Sequence, residues 1–127
     1  MVAAVRGRDA ARYALAGIRI VNGAAALLAP AKASRSFGVD PDRNPSTLYV
    51  LRLFGARTVL IGAQLLLAKD DELDQALRMG VLLHLSDAVS AALAGAKGQL
   101  PVRAAVTTTL LSTVNIGLSL AAQDRER

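Results

Sequence analysis

The stretch Thr47-Leu-Tyr-Val-Leu-Arg52-Leu-Phe-Gly55-Ala-Arg57-Thr-Val-Leu-Ile-Gly62-Ala-Gln64-Leu-Leu-Leu67-Ala68 decides how this chain is read. It is long and apolar enough to cross lipid, since about 20 helical residues rising roughly 1.5 Å each match the hydrocarbon thickness of a bilayer. Two guanidinium groups nevertheless sit within it. Arginine keeps its proton in a protein, so other segments must provide partners for Arg52 and Arg57.

Outward from this stretch, three more apolar segments appear. Expected helices cover about residues 10–29, 47–68, 75–96 and 102–122 of a single domain, 1–127. Pro30 stops the first. A basic start followed by Ala29-Pro30-Ala31 has the outline of a cleaved leader. Arg19 falls inside its apolar region, so a retained span is expected instead. Residues 31–46 hold Gly38, Pro41 and Pro45 and read as a loop, with a short surface helix near 31–37 and Ser46 as the next N-cap. Asp70, Asp71 and Glu72 fall where a helix dipole favours acids. Gly95, Gly98 and Pro101 mark the last turn, and residues 124–127 form a charged tail. Short links make sequential helices antiparallel neighbours. No period-two alternation or Asn-Gly turn suggests a strand.

The composition supports lipid over water as the surroundings. The chain of 127 residues is 53% hydrophobic but only 3% aromatic, with 10 glycines, which suits closely packed membrane helices. A soluble bundle would turn a Lys/Glu face outward from each helix. Residues 104–123 contain no charge at all. Their polar side chains Thr108, Ser112, Asn115 and Ser119 make one narrow stripe, so this helix carries its polar seam inward. Gly80, His84, Asp87 and Ala91 form a similar seam, as do Arg19, Asn22 and Gly23. Ser86, Ser90 and Ala94 form a ridge of small residues that permits close helix approach. The fold class is therefore all-α, an antiparallel four-helix transmembrane bundle.

Arg19, Arg57, Asp87 and Asn115 each lie roughly ten residues into their helices, about 15 Å deep and at one level. Charges at that depth face the bundle interior and pair. The interior polar network is expected to comprise Arg19, Asn22, Arg52, Arg57, Gln64, His84, Asp87 and Asn115. Asp87 is the one acid between Asp74 and Asp124, which makes it the counter-ion of Arg57 or Arg19. Three arginines against one aspartate leave two positive charges inside, to be met by lipid phosphates, carbonyls or an anionic guest. His84 and Asp87, three apart, can act as an acid–base pair. Without a nucleophile or second carboxylate, the plainer roles are a counter-ion and a donor to a carbonyl.

Several classes fall away. The absence of cysteine removes disulfides and thiol chemistry. One His and one Asp do not make a metal cage, so no metal and no cofactor are expected. The net charge of +5 comes without a basic stripe interleaved with aromatics, which argues against nucleic acid and for loops beside anionic lipid. Lys and Arg are more numerous on the side of the termini, and the positive-inside rule then puts both termini of a multi-pass cell-membrane protein in the cytoplasm.

The arrangement Arg19-Ile-Val-Asn-Gly23…Ala29-Pro30, Arg52-Leu-Phe-Gly55-Ala-Arg57…Gly62, then Asp87…Gly95 resembles small four-span bacterial membrane proteins of uncharacterised function, and is broadly similar to the DoxX-like group. The resemblance implies the fold and names no reaction. By analogy with the redox association of that group, it suggests a small subunit near a larger membrane enzyme. Two functions are thus expected: a non-catalytic subunit or scaffold with a partner membrane subunit, or a ligand-binding or enzymatic bundle holding an anionic or carbonyl-bearing amphiphile near Arg57 and Asp87. A missing catalytic set favours the first. A cavity of several hundred Å³ reaching those two residues would favour the second.

Overall fold

The computed structural model describes residues 2–123. Five helices follow one another: α1 (Val2–Leu28), α2 (Pro30–Ser36), α3 (Ser46–Leu67), α4 (Asp70–Ala96) and α5 (Val102–Ala122), with no strand among the described residues. Three of them, α3, α4 and α5, are long and apolar enough to cross a membrane; α1 with α2 makes a fourth if that bent pair is one span. The outer surfaces agree with this. Val21, Leu28, Leu60, Leu82, Leu93, Leu110 and Val114 are all exposed, while Arg19, His84, Ser112, Asn115 and Ser119 are buried. These are the features of a multi-pass membrane protein.

The element limits differ from expectation at their starts. Helix α1 begins well before residue 10 and α4 begins at Asp70 rather than Gln75. The first turn of α4 takes up Asp70, Asp71 and Glu72, which the positive end of the helix dipole stabilises. Ser46 is the first residue of α3, with Pro45 at the cap position and no side-chain capping bond. Pro30 ends α1 because the residue before proline avoids helical geometry; Ala29 sits at φ −134°. Pro30 then opens α2, whose axis turns by 109°. This short helix is half-buried: Pro30 and Ser34 pack it on α3, while Lys32, Arg35 and Ser36 are exposed, as expected of a surface helix near 31–37. The tail expected over 124–127 lies outside the described residues.

Each long helix touches the next in the order α1, α3, α4, α5 and back to α1. The tightest pair is α1 with α3. They run antiparallel, because residues near 23 and 27 meet Gly55 while Ala16 and Arg19 meet Gly62. A Cβ added at Gly55 would lie 2.5 Å from the Gly23 carbonyl oxygen and 2.5 Å from the Leu27 nitrogen, so backbone touches backbone there. Helices α4 and α5 also run antiparallel, with Gly95 against Ala105 and Gly80 near Ser119. Sequential helices are not equally good neighbours, however. Helices α3 and α4 touch lightly although only Ala68 and Lys69 separate them. The ridge of Ser86 and Ser90 faces outward, away from the chain's own helices.

One end of the assembly is an apolar plug of Ala11, Leu15, Ala16, Leu65, Leu77 and Ala122. The polar level follows, and α2 lies toward the opposite end. Replacing Gly55 by alanine must push α1 and α3 apart, a change that costs about 1–3 kcal/mol in a well-packed core. Thermal unfolding in detergent should show a lowered midpoint for Gly55→Ala and an unchanged or raised one for Gly17→Ala, whose added Cβ meets nothing within 4 Å and favours the helix. Equal midpoints would contradict the backbone contact.

Candidate functional site

At the polar level, Arg19 projects from α1 into the centre with 2% of its surface accessible. Its Nη2 lies 2.8 Å and its Nε 3.2 Å from Nε2 of His84 on α4, while Nη1 reaches the Ile61 carbonyl at 3.4 Å. Two glycines make room for this side chain. A Cβ at Gly80 would fall 2.7 Å from Arg19 Nη2, and one at Gly62 would fall 2.9 Å from Arg19 Cβ. Guanidinium nitrogens only donate, so Nε2 of His84 accepts and the ring proton belongs on Nδ1. That Nδ1 lies 3.9 Å from Asp87 Oδ2.

Asp87 continues the chain outward. Its Oδ2 accepts from Arg57 Nη2 at 3.0 Å, and Arg57 also lies over the Phe54 ring, 5.5 Å from its centroid. A line of polar groups therefore runs Arg19, His84, Asp87, Arg57, joining α1, α4 and α3. The outer pair is partly open: the side chains of Arg57 and Asp87 are 38% and 26% accessible. It bridges the side on which α3 and α4 pack least closely.

Beneath this line lies a cavity of about 350 Å³. Arg19, Asn22, Arg57, His84, Asp87 and Asn115 contribute its polar wall. Ala25, Ala26, Ala29, Leu51, Phe54 and Leu111 contribute its apolar wall, and Lys32 and Phe37 stand at the α2 end. Asn115 Oδ1, Thr58 Oγ1 and Ser119 Oγ are buried without a hydrogen-bond partner among the described residues. Such atoms are costly in an apolar interior. Among the described residues no group of three or more His, Asp or Glu is placed to hold a metal ion.

Two residues expected in this network lie elsewhere. Arg52 is exposed on the outer face of α3. It is five positions from Arg57, hence about 140° away around the helix, and both cannot face inward. Gln64 is also exposed, in a shallow groove with Gln75 and Met79. It shares a face with Arg57, but that face looks into the loose α3–α4 side and only the longer arginine reaches an acid. His84, expected to donate to a carbonyl, accepts from Arg19 instead. With Arg52 outside, the interior surplus falls from two positive charges to one.

Arg12 was not expected to take part. Its Nε donates to the Leu65 carbonyl at 2.6 Å and its Nη2 to the Ala68 carbonyl at 3.0 Å, satisfying the open C-terminal end of α3. Its position seven residues before Arg19, on the same helical face, is the signal that would have found it.

No family model matches the chain, and no curated protein or solved structure matches it. The site's own geometry is therefore the ground for its chemistry. Removing the Asp87 carboxylate strands Arg57 and releases His84. Because the pair is partly open, we expect a loss of about 1–3 kcal/mol for Asp87→Ala, below the range for fully buried pairs. Asp40→Ala, an exposed loop acid 3.8 Å from Arg43, should lose less than about 0.5 kcal/mol. Unfolding midpoints of the two variants in one detergent make the comparison, and equal midpoints would contradict the pairing.

Proposed function

We propose that this chain is an antiparallel four-helix transmembrane bundle of the cell membrane, with both termini cytoplasmic, that binds an amphiphile with an anionic or carbonyl-bearing head beside Arg57 and Asp87. One observation carries this reading: the cavity of about 350 Å³ that reaches both residues and combines a cationic polar wall with an apolar one. Pockets for small molecules have this volume range and this division of labour, a mostly apolar lining with a few placed polar groups. Helices α1 and α2 together have the length and apolarity of a span despite their bend, and counting that pair as one brings both chain ends to one side. The broad resemblance of its short motifs to DoxX-like proteins accords with such a bundle.

A second reading, a non-catalytic subunit that docks on a membrane partner, draws on the outward ridge of Ser86 and Ser90 among exposed Leu82, Leu85, Val89 and Leu93. Small residues at such positions allow close helix approach in lipid. The cavity is the stronger observation, because a scaffold has no need of an open space beside two arginines.

Two measurements test the proposal. The protein should remain with membranes through an alkaline carbonate wash; recovery in the aqueous fraction would contradict the membrane architecture. After purification in mild detergent, native mass spectrometry should show wild-type protein carrying a small adduct that is reduced at least about tenfold in Arg57→Gln, the equivalent of ~1.4 kcal/mol. A bare mass for wild type, after reconstitution with total membrane lipid, would favour the subunit reading.

A further inference from the structure

Resting on the ligand-binding reading, the charges around the cavity specify its guest more narrowly. Arg19 and Arg57 are positive, Asp87 is negative, and His84 faces Arg19 as an acceptor and is therefore neutral. Lys32 also lines the cavity, but it is exposed at the α2 end, outside the polar level of Arg19, His84, Asp87 and Arg57 that this count covers. One positive charge is left over. Arg57 directs Nη2 at Asp87 and makes no other hydrogen bond among the described residues, so part of its donor fork remains available. Arg19, by contrast, already has each of its three guanidinium nitrogens on a partner, His84 or Ile61.

We infer that the cavity takes a single-chain monocarboxylate, its head on the free edge of the Arg57 guanidinium and its aliphatic tail along Ala25, Ala26, Ala29, Leu51, Phe54 and Leu111. The carboxylate matches the planar guanidinium fork and neutralises the one surplus charge. A neutral carbonyl accepts a hydrogen bond but leaves that charge unmet in a low dielectric. A dianionic phosphate would replace a surplus of one sign with a surplus of the other. The cavity volume of about 350 Å³ suits one short chain rather than a two-chain lipid. Asp87 shares Arg57 with the guest, so it opposes binding by like-charge repulsion and holds the empty site together. The light α3–α4 contact beside this pair gives a lateral way in from the bilayer.

The test uses full-length protein in nanodiscs, with protein-free nanodiscs as the partition control. Radiolabelled dodecanoate, methyl dodecanoate, dodecanol and dodecyl phosphate are the probes. Dodecanoate should bind at least about tenfold more tightly than each of the other three, the equivalent of ~1.4 kcal/mol. Asp87→Asn, which keeps an acceptor for Arg57 and removes the competing charge, should bind dodecanoate about tenfold more tightly than wild type, and Arg57→Gln should lose that preference. Equal binding of acid, ester and alcohol would overturn the monocarboxylate assignment while leaving a ligand cavity in place. Tighter binding of dodecyl phosphate, or no gain in Asp87→Asn with native helix content by circular dichroism, would overturn it as well. Binding of none of the four above the control would take down the ligand-binding reading itself.

Discussion

The structure depends on how one guanidinium is held away from water. Arg19 is almost wholly buried, and an isolated charge in such a place costs several kcal/mol or more. His84 answers it with a ring nitrogen that accepts from both Nε and Nη2. That requirement sets much around it. Gly80 and Gly62 lack side chains where Arg19 passes, and any Cβ there would meet it. The tautomer that lets Nε2 accept leaves Nδ1 with a proton directed toward Asp87, and Asp87 in turn holds Arg57. Three helices are joined by one line of polar contacts although the backbones of α1 and α4 do not approach one another.

Packing and polarity divide the remaining labour. Where small residues face each other, as at Gly23 and Gly55, helices close to backbone contact and no space is left. Where Arg57 and Asp87 stand between α3 and α4, the helices touch only lightly, and this pair forms part of the wall of a cavity lined by all five helices. The apolar plug of Leu15, Leu65 and Leu77 closes one end, so the space extends only toward α2. A tight half and an open half thus come from the same helices, according to which residues each turn presents.

Much of this was legible in the sequence because helical periodicity and lipid together leave few choices. The stripe of Ser112, Asn115 and Ser119 on an uncharged helix could only face inward, and it does. The face of Gly80, His84 and Ala91 is likewise buried. The common depth of Arg19, Arg57, Asp87 and Asn115 corresponds to one cavity lined by all four. What periodicity could not provide was the rotation of α3. Arg52 and Arg57 point to different sides, and a count of charges along the chain treats them alike. Nor could spacing foresee that α3 and α4 splay, which leaves Gln64 outside. The pairing of Arg19 with a histidine rather than with the acid three residues on depends on side-chain reach across helices, which no single-helix pattern contains. Arg12 was missed because capping a distant helix end is likewise a contact between elements.

The chain has a single histidine, so one ring reports on the contact that everything else rests on. Nitrogen NMR of uniformly ring-labelled protein in bilayers at neutral pH reads the state of both its nitrogens directly. One long-lived tautomer is expected, protonated at Nδ1, with Nε2 bare and showing the shift of an acceptor bound by a cation. A ring protonated at Nε2, or one averaging between tautomers as in free solution, would mean that His84 does not hold Arg19 and that the line from Arg19 to Arg57 is not formed.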